Sequence, residues 1–498
     1  MKNLKWKKAG SAVLATALAG SMVLPATAYA QGEIVQLEGG TSTQTNTAPE
    51  QVFLNKYSGT VRTQNFNDNW KFYLGDASGA QTPAFDDSSW DQVNLPHDYS
   101  IDQKYNRSMD GESGYLPGGT GWYRKSFTVD KSLEGKRISI DFGGVYMNAT
   151  IYVNGKKLGT HPYGYTPFSF DITDNVKFGK ENVIAVKVDH QTPSSRFYSG
   201  SGIYRDVDFV VTDTVHVDKN GTKIETPDLK EHVDGNNVAV KVKTTVVNES
   251  ERDASVKVKH TIYPKNETAE QAVATFESQE AVAVEKGKSK DVSADFTASG
   301  VQLWSTTTPN LYTVKTEVLM DGATVDTYET DYGFRYFAFD KNNGFTLNGQ
   351  KMKLQGVCMH HDQGALGSVA NDRSTERQVE ILKMMGCNSI RVTHNPASDE
   401  LIDACNKHGI LVIDEAFDGW VAPKNGNSND YAKWFNKEIE SDNEIMGAAD
   451  NMTWAQFDLT AMIERGQNDP AIIMWSLGNE MWEGTGGYSA VSYTHLTL

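Results

Sequence analysis

The sequence predicts a multidomain chain of β plus α/β class: a jelly-roll-like sandwich, an immunoglobulin-like sandwich, and the first half of a (β/α)8 TIM barrel. Three observations carry that expectation. Short runs of alternating apolar and polar residues, broken by Gly, Pro, Asn and Asp, fill the chain from about Val52 to Tyr332. Beyond Phe345 the pattern changes to apolar strands separated by helical stretches. Polar side chains then gather directly after each strand, where (β/α)8 barrels build their sites.

Taken in order, Lys2, Lys5, Lys7 and Lys8 precede an apolar run from Ala9 to Leu24 and the triplet Ala28-Tyr29-Ala30. That arrangement reads as a signal peptide over 1–30. Its apolar run is shorter than the roughly 20 residues a membrane span needs. The protein is therefore expected to be secreted or held at the cell surface, with no membrane span. A polar leader over 31–51 follows, of a composition that stays flexible.

Residues 52–212 hold Arg137-Ile-Ser-Ile-Asp-Phe142, Ala149-Thr-Ile-Tyr-Val153 with the turn Asn154-Gly155, and Val183-Ile-Ala-Val-Lys-Val188. Side chains alternate between the faces of a strand, and Asn-Gly tolerates the positive φ of a tight hairpin. An antiparallel sandwich is the expected result. Residues 213–335 repeat the pattern with Val238-Ala-Val-Lys-Val-Lys-Thr-Thr-Val-Val247 and Tyr312-Thr-Val-Lys-Thr-Glu-Val-Leu319. Their number suits an immunoglobulin-like sandwich.

In 336–489 a strand at Met352-Lys-Leu-Gln-Gly-Val357 leads to a helix from Thr375 to Met385, with Thr375 and Gln378 at capping-box spacing and Gly386 as the stop. Then come Ser389-Ile-Arg-Val-Thr393, a helix from Asp399 to Lys407 capped by Ser398, and Ile410-Leu-Val-Ile413. A longer loop and a helix from Trp454 to Arg465 precede Ala471-Ile-Ile-Met-Trp-Ser-Leu-Gly-Asn-Glu480. Strands alternating with helices imply a parallel sheet, in a barrel or doubly wound. The polar clusters at the strand ends favour the barrel: His360, His361 and Asp362; His394 and Asn395; Asp414, Glu415 and Asp418; Asn479 and Glu480. The first strand carries no Gly-rich phosphate loop, which counts against nucleotide binding. About four strands are legible where closure takes eight. A half barrel leaves a sheet edge unpaired and an inner face uncovered. The tail 490–498 shows no matching pattern and is a candidate artefact.

A formal charge of −17 with no long basic run argues against nucleic acid as a partner. Cys358, Cys387 and Cys405 are odd in number and lack metal-ligand spacing. Their apolar neighbours suggest buried thiols. The acid Glu480 lies at the mouth of an apolar strand and so is expected to be buried, with a raised pKa that suits a proton donor. Such an acid is what glycoside hydrolysis uses, though that chemistry needs two carboxylates. Spacing alone nominates Asp414, Glu415 or Asp418 as the second, because neighbouring strands can bring carboxylates to about 5 Å.

Five motifs in one order then stand out: Gly121-Trp-Tyr-Arg124, Ser199-Gly-Ser-Gly-Ile-Tyr-Arg205, Gly333-Phe-Arg335, Asn388-Ser-Ile-Arg-Val-Thr-His-Asn-Pro396 and Trp475-Ser-Leu-Gly-Asn-Glu480. Together they resemble glycoside hydrolase family 2, and most of all its secreted bacterial β-galactosidases. The resemblance implies that Glu480 is the general acid/base of a retaining mechanism and that Asn479 bonds the sugar 2-hydroxyl. It implies that His394 and His360 face the sugar, with Asp418 a contact to a hydroxyl. Asp414, Glu415, Arg391 and Trp475 are expected to support the site, Arg391 either through a structural pair with a barrel carboxylate or through a ligand contact. The family's nucleophile lies near the end of strand 7, so none is expected in this chain, which alone should be inactive.

Some family members hold magnesium and sodium ions beside the sugar. Here Arg196 takes the position of a liganding Asp, and Asp414-Glu-Ala-Phe-Asp-Gly-Trp420 lacks the Glu-x-His ligands. No metal and no cofactor is therefore expected. Arg196 is left to reach a sugar hydroxyl or to bridge the sandwich and the barrel. The implied partners are β-galactoside oligosaccharides or glycans. Two alternatives stay open: a β-glucuronidase of the same family, and a non-catalytic glycan-binding fragment using Trp70, Trp90 and Trp122 as stacking surfaces.

Overall fold

Strict alternation builds both sandwiches. The computed structural model describes residues 51–53 and 62–481; the expected signal peptide, the leader apart from Gln51, and the tail 490–498 lie outside them. In the first sandwich one sheet runs, in spatial order, Asp91–Val93, Trp70–Leu74, Gly119–Val129, Glu181–His190, Ala149–Val153 and Lys156–His161. The facing sheet runs Phe168–Asp171, Arg137–Phe142, Val207–Thr212 and Thr63–Asn65. Asn154 and Gly155 turn one hairpin with φ of 49° and 88°. Trp70, Trp90 and Trp122 are all buried. They form core rather than the exposed stacking surfaces that the glycan-binding alternative required.

In the second sandwich Val215–Glu225, Val238–Asn248 and Lys288–Ala298 face a sheet of Ala274–Glu277, Ala254–Pro264, Tyr312–Met320 and Ala323–Tyr332. Val238, Val240, Val242 and Val246 point inward while Lys241 and Lys243 point to solvent. One residue of slippage would exchange the two sets, so the pattern fixes the register.

After a three-stranded hairpin at Phe337–Lys351 come four parallel strands, Gly356–Met359, Ser389–Val392, Leu411–Glu415 and Ile472–Ser476, paired in that order. Three helices alternate with them. The first spans Asp372–Met384 and is capped by Asn371, whose Oδ1 accepts from the Ser374 amide at 3.0 Å. Thr375, expected at this cap, lies inside the first turn, because the upstream Asn meets the orphan amides first. Asp399–His408 starts on Ser398, and Trp454–Gly466 on a reciprocal Thr453–Gln456 box. Among the described residues no helix is long and apolar enough to cross a membrane. Of the three thiols, expected to be buried, only Cys405 is; Cys358 is exposed. The cause is its place on the inner face of the first strand, in register with Arg391.

The barrel strands and the first sandwich are joined by one apolar core. The connection between the third strand and the third helix contributes Phe417, Trp420, Tyr431, Phe435 and Ile445, and these pack with Phe142, Tyr163 and Phe170 of the sandwich. Tyr163 and Tyr431 rings lie 4.3 Å apart. Two motif arginines lock the junctions. Buried Arg205 donates to the carbonyls of Tyr165, Pro396 and Ala397. Arg335 donates to those of Pro470 and Ile472, at a place where Gly333 lies so close that a Cβ would stand 2.6 Å from Pro470.

Because Trp454 is buried in the shared core, Trp454→Ala is expected to cost about 3–5 kcal/mol. Urea unfolding followed by circular dichroism measures it. A loss confined to the helix, with an unchanged sandwich transition, would contradict a shared core.

Candidate active site

The site begins with a carboxylate buried inside the sheet. Glu415 ends the third strand and is fully buried. Its Oε1 lies 2.7 Å from His394 Nδ1, and its Oε2 accepts from Arg391 Nη2 at 2.6 Å and Ser476 Oγ at 2.8 Å. Three donors, from the second strand, the turn after it and the fourth strand, thus converge on one side chain of the third. A buried carboxylate requires such partners. The bond at Nδ1 also sets the imidazole tautomer, leaving Nε2 as the His394 atom open to a ligand.

Arg391 carries the order outward, as the expected pair with a barrel carboxylate. The same Nη2 donates to Asn479 Oδ1 at 3.1 Å, and Asn479 Nδ2 donates to Asp418 Oδ1 at 3.1 Å. The amide is fixed at both ends, yet one N–H remains for a hydroxyl. Asp418 then receives Arg196 Nε at 2.9 Å and Nη2 at 2.8 Å, a bidentate pair. Burial disfavours its charge, but the hydrogen bonds from Arg196 and then Asn479 hold its carboxyl below the usual range.

Arg196 also reaches Glu480, Nη1 to Oε2 at 3.1 Å. Of the two expected uses of this arginine the structure shows the bridge, from the sandwich to Asp418 and Glu480 of the barrel. A guanidinium offers donors alone, and the carboxylates Asp418 and Glu480 are both paired with it, so these residues do not fit a hard cation. Glu376, Glu380 and His408 lie within ligand reach of one another elsewhere, but both carboxylates are paired with Arg373 and one also with Lys407.

Several expectations are corrected. Glu480, expected to be buried, has a side chain 62% exposed; it stands past the strand end at φ 49°, and no described segment covers it. Asp414 faces away from the site, toward the helices, where it accepts from the Ala397 amide at 2.9 Å and from Arg465 at 2.7 Å. Successive strand residues point to opposite faces, so Asp414 and Glu415 could not both face inward. Trp475 likewise packs into the apolar cores behind the sheet. None of Asp414, Glu415 and Asp418 stands free as a second carboxylate, because each is engaged by an arginine.

His360 and His394 lie together, ring centroids 5.5 Å apart, with Phe197 4.4 Å from His360. Burial, then the neighbouring His394, pushes the His360 imidazole down, and its Nδ1 has no partner among the described residues. His361 instead packs on Tyr165 and Tyr204 and meets the Ser199 carbonyl at 3.3 Å. Burial holds it down at about 3. Two contributors had no sequence signal of their own. Ser476 is one, legible only through its register with Glu415. Buried Lys424 is the other; its Nζ donates to the carbonyls of Asn479 at 2.8 Å and Glu480 at 3.1 Å.

Glu415→Gln is expected to cost about 1.5–3 kcal/mol, as one charge-assisted bond is lost and an amide N–H₂ meets donors; chemical denaturation measures it. Asp418 has a depressed folded pKa. Its contribution is therefore complete above the unfolded value of about 3.9 and is lost as pH falls through the lower folded one. Unfolding titrations should show a stability loss below about pH 4 that is shallower in Asp418→Asn. Equal slopes would contradict the assignment.

Three family models match the chain in sequence: the sugar binding domain of glycosyl hydrolases family 2 at residues 63–213, the family 2 domain at 222–335, and the family 2 TIM barrel domain at 340–496. The β-galactosidase BoGH2A of Bacteroides ovatus is 41% identical over 84% of this chain and 46% of its own length. A family 2 member from Bacteroides cellulosilyticus has a crystal structure that matches with a TM-score of 0.78 and 38% identity, over 87% of this chain and 53% of that one. A β-glucuronidase of Bacteroides uniformis matches with a TM-score of 0.68 and 31% identity, over 84% and 47%. The chain thus spans about half the length of the relatives it matches. With its sandwich, immunoglobulin-like domain and barrel strands matched in order, this chain belongs to glycoside hydrolase family 2.

Proposed function

We propose that this exported chain carries the acid/base side of a retaining exo-β-galactosidase site. The observation that supports the reading most is Glu480 standing exposed at the strand mouth, paired with Arg196, beside an Asn479 fixed by Arg391 and by Asp418. In the proposed reaction the Glu480 carboxyl gives its proton to the glycosidic oxygen as the bond to the anomeric carbon breaks. A second carboxylate attacks that carbon and forms a glycosyl-enzyme. Water then displaces it, losing its proton to Glu480. Asn479 strengthens its bond to the 2-hydroxyl as charge develops on the ring. His394 Nε2 and His360 orient the sugar from the opposite side, without a metal ion or cofactor.

The described barrel carboxylates nominated as a second acid, Asp414, Glu415 and Asp418, are each engaged by an arginine and largely buried, whereas the arginine-paired Glu480 is exposed. We therefore expect this polypeptide alone to bind galactosides without turning them over. A β-glucuronidase is the second reading, favoured by the likeness to the Bacteroides uniformis enzyme.

The test uses 4-nitrophenyl β-D-galactoside and its glucuronide. The 498-residue chain should hydrolyse neither; turnover abolished by Glu480→Gln would overturn its inactivity. In a version extended to the length of its relatives, Glu480→Gln should lower kcat on the galactoside by about 10²–10⁴-fold. Turnover of the glucuronide alone would replace the galactosidase reading with the second.

A further inference from the structure

The loop between Ser100 and Gly119 of the first sandwich is not explained by the sandwich core. It is ordered by its own hydrogen bonds: the Asn106 amide to the Tyr115 carbonyl at 2.9 Å, the Tyr115 amide to the Asp110 carbonyl at 3.0 Å, and Gln103 Nε2 to the Pro117 carbonyl at 3.0 Å. The first of these ties the backbone of Asn106, the residue after Tyr105, to that of Tyr115. Both rings are turned out to solvent, 72% and 51% exposed. Tyr115 holds φ at 61°, a conformation a bulky residue rarely adopts without a local reason.

Two contacts place this loop against the site. On one side Asn425 Nδ2 donates to Glu112 Oε1. The next residue, Lys424, holds the Glu480 carbonyl. On the other side Gly114 lies against Tyr198, 3.7 Å from a Cβ built there. Tyr198 is two residues from Arg196, which touches the Glu480 carboxylate. The loop tip therefore bonds to the segment that carries Lys424 and packs near the one that carries Arg196. The Tyr115 hydroxyl would meet a Cβ at Gly111 at 3.2 Å, so its ring folds back over Gly111, the residue before Glu112. The second Glu112 oxygen has no hydrogen-bond partner among the described residues.

We propose that Tyr105 and Tyr115, with Glu112, form the subsite for the leaving-group saccharide of a β-galactoside. The proposal rests on the reading of Glu480 as the proton donor, because the leaving group lies on the side of the donated proton. The chemistry suits a pyranose: aromatic rings present broad apolar faces to its C–H groups, and a carboxylate oxygen accepts from its hydroxyls. A few polar groups beside aromatic surface are the usual make-up of a small-molecule site. The rings are too exposed to be core, and their loop bonds through Glu112 to Asn425, the neighbour of the lysine that holds the Glu480 carbonyl.

Calorimetry on the full chain carrying Glu480→Gln, which prevents turnover, separates the two readings. A β-linked galactosyl-glucose disaccharide should bind about tenfold more tightly than galactose. Tyr105→Ala with Tyr115→Ala should erase that advantage and leave galactose binding unchanged, while Tyr105→Phe with Tyr115→Phe should preserve it. Galactose binding with an undiminished disaccharide advantage in the double alanine variant would overturn the subsite alone. Failure of the chain to bind any galactoside would overturn the subsite and the galactoside reading together.

Discussion

The site depends on one buried charge. Glu415 sits in the sheet with no solvent access and accepts from His394, Arg391 and Ser476. A carboxylate so placed is tolerable only while every partner stays in place. It therefore fixes the ends of three strands relative to one another, and with them the imidazole of His394 and the fork of Arg391. The remainder follows in sequence: Arg391 sets Asn479, Asn479 sets Asp418, Asp418 sets Arg196, and Arg196 meets Glu480. Order passes from the interior of the sheet to a solvent-facing acid through side chains that are each satisfied on both sides.

The first sandwich is a structural part of that site rather than an appendage. It supplies Arg196 directly, and its aromatic core continues into the connection after the third strand. Lys424, on that connection, anchors the backbone of Asn479 and Glu480. Asn427 bonds back to the Ser195 carbonyl at 3.0 Å. Displacing the sandwich would thus move the acid from two directions. The Ser199-to-Arg205 motif gains a physical meaning here: its terminal arginine satisfies carbonyls on the turn that follows His394.

Much of this was legible in the sequence because it rests on local rules. Alternation in Val238–Val247 gave strand and face together, and Ser398 announced its helix. Glu480, Asn479 and His394 stood in motifs and Arg196 just upstream of one, and the structure brings them to one mouth. What could not be read was set by geometry across the chain. Glu480 followed an apolar run, which suggested burial; its exposure depends on what lies opposite, and periodicity carries no such information. Asp414 and Glu415 were adjacent and equivalent as letters, and only the phase of the strand separated them. Lys424 sits in a connection with no period at all, so its place beneath the acid emerges only from tertiary packing.

The most direct measurement is a crystal structure of this chain with galactose bound. The sugar is predicted at the strand mouth, its anomeric oxygen within about 2.6–3.2 Å of the Glu480 carboxyl, its 2-hydroxyl on Asn479 and its ring beside His394 and His360. Galactose bound elsewhere, or with its anomeric oxygen turned away from Glu480, would contradict the assignment of this residue as the proton donor.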